Sequence, residues 1–383
     1  MKLKSPYLLL NSCIALALLL SATLGSRDIL SKGQILKQFY THELSLSLAS
    51  NGFQIFKTTI PCKSNITEEF PRPWIEEPPL YNLLAAGIKT IGLSDPAISS
   101  FLLFLINVFL IYLCLIDLKL FSKEKSLLIT LLVSASPALM RYSTQHIPDP
   151  IAVTFLLLGY LLLKRSKPFF ALSCFILATL GKVFYFIPST ALGAYFFLNN
   201  AKASFKKIPY TKIFTAGFLI GFPFLIWVYL MKTNGIESGY DTGNITNNRH
   251  FGDYFLLFDL HYWARIFNWI VIKGIGWISF LGLLLFIYKQ TWKTQSAFNF
   301  LIAWGLSIIP YACLFRTGGS VHDYYYLPFI VPLSVIGFYQ IFQIKNKWVL
   351  AFLIFIHVGI GINEPLALTP SEIQPAHLCE AEG

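Results

Sequence analysis

Apolar residues run through this chain in long blocks, separated by short polar stretches that carry most of the lysines. A helix rising 1.5 Å per residue needs about 20 such residues to cross the hydrocarbon core of a bilayer. The blocks predict membrane helices over 6–24, 97–118, 126–141, 149–163, 168–181, 183–199, 213–231, 266–288, 298–314, 325–343 and 348–363, about eleven spans. The expected fold class is therefore an all-α polytopic membrane protein. Two polar intervals are too long to be turns. The first, 25–96, contains ILSKGQILKQFYTHELSLSLASNGF, in which Ile35, Leu36, Phe39, Leu44, Leu46 and Leu48 are the apolar positions of an amphipathic helix. It also contains PPLYNLLAAGIKTIGL, whose prolines fall where a helix has no use for their missing N–H. Both segments are expected to lie in the membrane interface. The second interval, 232–265, mixes Gly, Asn and Asp with Tyr, Trp and Phe, as an ordered lid does. The expected organisation is a first span (1–24), a first outer loop (25–96), spans (97–231), a second outer loop (232–265), spans (266–363) and an outer tail (364–383). No inverted repeat of the kind that marks many carriers is visible.

Composition supports lipid as the solvent. Of 383 residues 55% are hydrophobic and only 13% charged, against about 25% charged in soluble domains, and the mean hydropathy is +0.60. The net charge of +11 does not point to nucleic acid. Its lysines are spread over alternate short connections (Lys2 and Lys4; Lys119, Lys123 and Lys125; Lys164, Arg165 and Lys167; Lys202, Lys206, Lys207 and Lys212; Lys289 and Lys293; Lys345 and Lys347) instead of being gathered in one groove. That bias sets the amino terminus inside and the carboxyl terminus outside. Only Asp117 and Glu124 among the acidic residues then fall on the inner face. The basic, apolar amino terminus reads as a retained signal anchor rather than a cleaved leader. Cys13, Cys114, Cys174 and Cys313 fall within spans, Cys62 and Cys379 share the outer side and could pair, and no spacing suggests a metal site.

Candidate chemistry gathers on the outer side. In YSTQHIPDP, Asp149 opens a helix beside His146. A capping and dipole role accounts for an acid there, and so does contact with substrate, because ionisable groups at membrane depth are costly. Glu43, next to His42, lies on the first amphipathic helix, where a solvated face is the plain alternative. Glu76 and Glu77 precede Pro78 and Pro79 and either cap the next helix or bind a cation. Lys182 interrupts two apolar runs, snorkelling or meeting a phosphate. RTGGSVHDYYYLPFIVP brings Arg316, His322 and Asp323 before three tyrosines that an interfacial aromatic belt would explain.

In their order and context these stretches resemble the GT-C class of integral-membrane glycosyltransferases. The nearest branch is the bacterial one that includes protein mannosyltransferases, the lipid A aminoarabinose transferase and Rgt-type sugar transferases. The resemblance runs from the first span to about residue 340 and rests on HELSLSLASNGF, EEPPLYNLLAAGIKTIGLSDPAISSFL, the Asp-Pro step at Asp149-Pro150, the Gly-Lys step at Gly181-Lys182, and HDYYYLPFIVP. It implies a helical bundle with interfacial helices in the first outer loop, and transfer of a sugar from a polyprenyl-phosphate donor to a lipid, glycan or protein acceptor at the outer leaflet. It implies Glu43 and Asp149 as catalytic acids. Lys182, Arg316 and Arg72 are the implied phosphate contacts, with His42, His146, Glu77, Tyr81, His322 and Tyr325 lining the substrates. No cofactor is expected, although some members use a divalent metal. The chain departs from the family in reading His42-Glu43 where Asp-Glu is common, and Glu77 where a basic residue precedes the prolines. A secondary transporter or lipid flippase is the alternative from another class, and a non-catalytic glycan-assembly protein is a third.

Overall fold

The computed structural model describes residues 6–25, 35–57, 77–93, 96–143, 145–200, 210–235, 254–293, 296–316 and 323–366. Among these residues there are helices and no strands. In chain order the first ten helices are α1 (Pro6–Gly25), α2 (Ile35–Ser50), α3 (Leu80–Thr90), α4 (Pro96–Leu118), α5 (Lys123–Ser134), α6 (Pro137–Ser143), α7 (Asp149–Lys164), α8 (Pro168–Gly181), α9 (Phe186–Asn200) and α10 (Tyr210–Thr233). They are followed by α11 (Leu260–Phe267), α12 (Trp277–Tyr288), α13 (Asn299–Leu306), α14 (Ile308–Leu314), α15 (Leu327–Ile341) and α16 (Lys347–Leu366).

Each apolar block coincides with a helix or a broken pair of helices, but the count of about eleven full spans is not reproduced. Among the described residues four single helical runs are long and apolar enough to cross a membrane (Ile98–Leu118, Tyr210–Thr233, Tyr324–Ile341 and Lys347–Leu366), and a bent pair makes a fifth. That pair is the stretch read from sequence as one span, 266–288. Leu260–Ile275, whose second half is π-helical, turns by 108° into α12. The turn is made by Gly276 at φ 78° and ψ 154°, a conformation closed to side chains. The other apolar helices are shorter, and several break at prolines or at a polar step, as at Lys182 between α8 and α9. The chain is a multi-pass membrane protein whose spans are partly assembled from such pieces.

The two ends of the bundle differ. At one end Asp117, closing α4, takes a two-pronged ion pair from Arg165 just beyond α7, Nε to Oδ2 at 2.7 Å and Nη2 to Oδ1 at 3.3 Å. Asn11 in α1 reaches the Glu124 carbonyl at the start of α5 at this same end. At the other end α4 begins beside the connection from α6 to α7, where Ser100 donates to the Gln145 carbonyl at 2.5 Å. From Ser100 to Asp117 the helix rises roughly 25 Å. Arg141 of α6 pairs with Glu364 of α16 at this second end.

Some polar groups inside the bundle are matched helix to helix. Asn107 donates to the Pro150 carbonyl at 3.1 Å and accepts from Thr154 at 2.8 Å, and Ser136 meets Ser334 at 3.0 Å. Helices pack most closely where small residues face one another. A Cβ on Gly282 of α12 would run into the backbone of Gly337 in α15, and one on Gly337 into Ser279. Gly337→Leu should therefore destabilise the detergent-solubilised protein by about 1–3 kcal/mol, read as a lowered unfolding midpoint, whereas Gly87→Ala, with open space around it, should leave the midpoint within error.

Candidate functional site

Within the interval 25–96 the described residues include two α-helices, α2 and α3, which pack on each other and on the bundle. The side of α2 that packs inward is Gln38, Thr41, Leu44, Ser45 and Leu48, a face more polar than the apolar stripe read from the sequence. Asn82 of α3 donates to the Thr41 carbonyl at 2.8 Å and to Ser45 Oγ at 3.3 Å, locking the two helices together. Leu44, Leu48 and Ala86 close around Met231 near the end of α10.

The entry to α3 carries a buried charged contact. Glu77 and Lys182 form an ion pair with their side chains 5% and 2% exposed. Neither of the simple expectations for these residues holds. The amino terminus of α3 has no side-chain cap, so Glu77 is a partner for Lys182 and not a cap. Lys182 does not reach the surface; it sits where α8 stops and the backbone turns extended, φ −160° and ψ 118°. Its ammonium also lies 5.6, 5.4 and 5.7 Å from the ring centres of Phe184, Tyr324 and Tyr325, within cation–π range. The tyrosines assigned to an aromatic belt are thus buried and cover a lysine.

One helical turn beyond Glu77, Tyr81 is fully buried. Its hydroxyl is shared among Ser99 Oγ at 2.9 Å, Ser100 Oγ at 2.7 Å and His146 Nδ1 at 2.8 Å. Burial raises the phenol's pKa against the pull of the two serines, so it stays protonated. The His146 backbone N–H donates to Gln38 Oε1 at 2.9 Å, and its ring meets that of His42 edge-on at 5.8 Å. Asp149 lies three residues further on, buried in the first turn of α7, with its carbonyl 3.5 Å from the Tyr185 hydroxyl. The amino terminus of α7 likewise has no side-chain cap.

His42 and Glu43 are half-buried on α2. Desolvation raises the Glu43 pKa, with the nearby Lys89 pulling it back, and desolvation together with Lys89 lowers that of His42. Arg316 is buried and donates from Nη1 to the Cys313 carbonyl at 2.5 Å. Its neighbour Phe315 packs on Phe184 at 4.5 Å between ring centres, next to Tyr325 at 4.2 Å.

Of the residues singled out from sequence, Lys182 contacts both Glu77 and Tyr325, and Tyr81, His146 and His42 form a second chain of contacts. Asp149 and Arg316 adjoin these groups through Tyr185 and Phe315, whereas Glu43 is coupled to Lys89. Arg72, His322, Glu76, the possible Cys62–Cys379 pair and most of the second outer loop lie outside the described residues. Gln38, Ser99, Ser100 and Lys89 were missed. The clue available for Ser99 and Ser100 was a polar pair at the start of an apolar helix; nothing in the sequence marks Gln38. Among the described residues no group of three or more His, Cys, Asp or Glu side chains could hold a metal ion.

No protein-family model matches the sequence, and no curated protein is similar to it. Solved structures are. ArnT from Cupriavidus metallidurans bound to undecaprenyl phosphate aligns with a TM-score of 0.59 at 13% identity, covering 95% of this chain and 67% of that one. The same protein in the apo state gives 0.56 at 12%, covering 88% and 60%. The chain has the ArnT fold. That agrees with the GT-C resemblance read from the sequence.

The Glu77–Lys182 pair gives the site a direct stability test. Removing one partner leaves a buried charge, at a cost of about 3–5 kcal/mol, while replacing both with apolar groups is far milder. Lys182→Met and Glu77→Leu should each lower the unfolding midpoint strongly, and the double variant should recover most of the loss. Additive losses would mean that the two residues do not depend on each other.

Proposed function

We propose that this chain is a GT-C-type membrane glycosyltransferase that moves a sugar from a polyprenyl-phosphate donor to a lipid, glycan or protein acceptor at the outer leaflet of a bacterial inner membrane. The observation that carries the reading is a fold shared over 95% of the chain with an ArnT structure that contains undecaprenyl phosphate. Buried cations, carboxylates and aromatics at one end of the bundle add chemical support.

The proposed reaction is a single displacement. The acceptor oxygen attacks the anomeric carbon, its O–H proton passes to a carboxylate, and the bond from that carbon to the phosphate oxygen breaks with its electron pair leaving on the phosphate. The leaving group is already anionic, so it needs cations more than a general acid. Lys182 and Arg316 are the proposed contacts, with Arg72 as a third. An ammonium has three N–H donors and can serve Glu77 and a phosphate oxygen together. Its ring cage and Glu77 hold it in position before donor binds, which lowers the cost of organising the site.

We assign the general base to Glu43. It is partly accessible, and desolvation moves its pKa up toward the working pH, as a base requires. Asp149, buried in the first turn of α7, orients the acceptor. His42, His146, Tyr81 and Tyr325 line the substrates, with His322 outside the described residues.

Transfer from a synthetic polyprenyl-phosphate sugar by the purified protein tests this reading. Glu43→Gln should lower kcat by roughly 10²–10⁴-fold, and Asp149→Asn should also impair it. Glu43 must be ionised to act, so activity should fall as pH drops through its pKa. Lys89 lowers that pKa, so Lys89→Gln should move the acidic limb of kcat/KM to higher pH. Full transfer by both Glu43→Ala and Asp149→Ala would overturn the assignment. Passage of an intact solute across sealed vesicles, without transfer, would favour a transporter.

A further inference from the structure

At the lysine-rich end, opposite the cluster described above, the ends of α4, α7, α9 and α13 line an open cavity of about 580 Å³. That size is within the range of small-molecule sites. Its charged lining is Lys119, Lys164, Arg165 and a single carboxylate, Asp117, with Tyr195 and Phe300 supplying aromatic wall. Asp117 is already engaged by Arg165, which spends two of its five N–H donors there. Lys164 is half-buried, and its ammonium rests over the Phe300 ring at 5.2 Å instead of on an acid.

Lysines at this face of a membrane protein are ordinarily solvated, and those after α4 and α7 also complement the negative ends of the two helices. A solvated face does not require a concave site with aromatic walls and an excess of cations over carboxylates. We propose that this cavity binds the phosphate head group of an anionic phospholipid. The cations hold the phosphodiester, and the ring faces of Tyr195 and Phe300 meet the glycerol and the first acyl carbons. The charge bias puts this end on the cytoplasmic side, where anionic lipid is available and basic pockets between helices collect it.

Native mass spectrometry of the full-length protein in detergent, titrated with phosphatidylglycerol, phosphatidylcholine or inorganic phosphate, tests the proposal. Wild type should retain phosphatidylglycerol in preference to phosphatidylcholine. The double variant Lys119→Gln/Lys164→Gln should weaken that retention by roughly tenfold or more, while the charge-matched control Lys57→Gln/Lys232→Gln should not. Asp117→Asn, which removes the one lining carboxylate among the described residues, should strengthen retention, a gain that a misfolded variant would not give. Unchanged retention in the double variant, or equal retention of phosphatidylcholine, would overturn the proposal. So would inorganic phosphate saturating the wild type and displacing the lipid, since the site would then serve a soluble anion.

Discussion

A buried ion pair, Glu77 with Lys182, is the constraint on which this end of the molecule depends. Either charge alone, out of water, would cost several kcal/mol; together, under the rings of Phe184, Tyr324 and Tyr325, they are tolerated. The pair fastens the start of α3 to the break between α8 and α9, two points 105 residues apart in the chain. Once Glu77 is fixed, Tyr81 falls one turn on against Ser99, Ser100 and His146, and α3 in turn carries α2 through Asn82. Helices α2 and α3 are thereby seated parts of the bundle.

That arrangement also explains why an acid precedes the prolines. A second cation at that position would stand against Lys182 in a low-dielectric setting. Glu77 instead holds Lys182 in place and leaves the pair with no net charge. Phosphate binding would then rest on a pre-positioned lysine and on Arg316, with the ring cage keeping water away.

The apolar blocks made the helices legible, since their length and composition leave a chain few other ways to satisfy its backbone in lipid. That 35–50 and 80–90 are helical was legible from their patterning as well. Continuity was not: Gly276 turns an apolar run that reads as one span through 108°, and hydropathy is blind to a single backbone angle. Nor were the pairings. Glu77 next to prolines has the look of a cap and Lys182 between apolar runs that of a snorkelling side chain, because each local pattern is satisfied without the other. Tyr324 and Tyr325 matched an aromatic belt, and only packing shows them closing over Lys182. Gln38 carried no signal, since its part is to accept from a backbone N–H 108 residues away.

The central claim is that the Lys182 end of the bundle receives the phosphate of a lipid-linked sugar donor. An experimental structure of the protein in a lipid nanodisc with undecaprenyl phosphate tests it most directly. The account predicts a phosphate oxygen about 2.7–3.2 Å from Lys182 Nζ, with Arg316 on the same group and Glu77 still beside the lysine. Phosphate density found only at the opposite, lysine-rich end, with Lys182 sealed beneath its tyrosines, would contradict it.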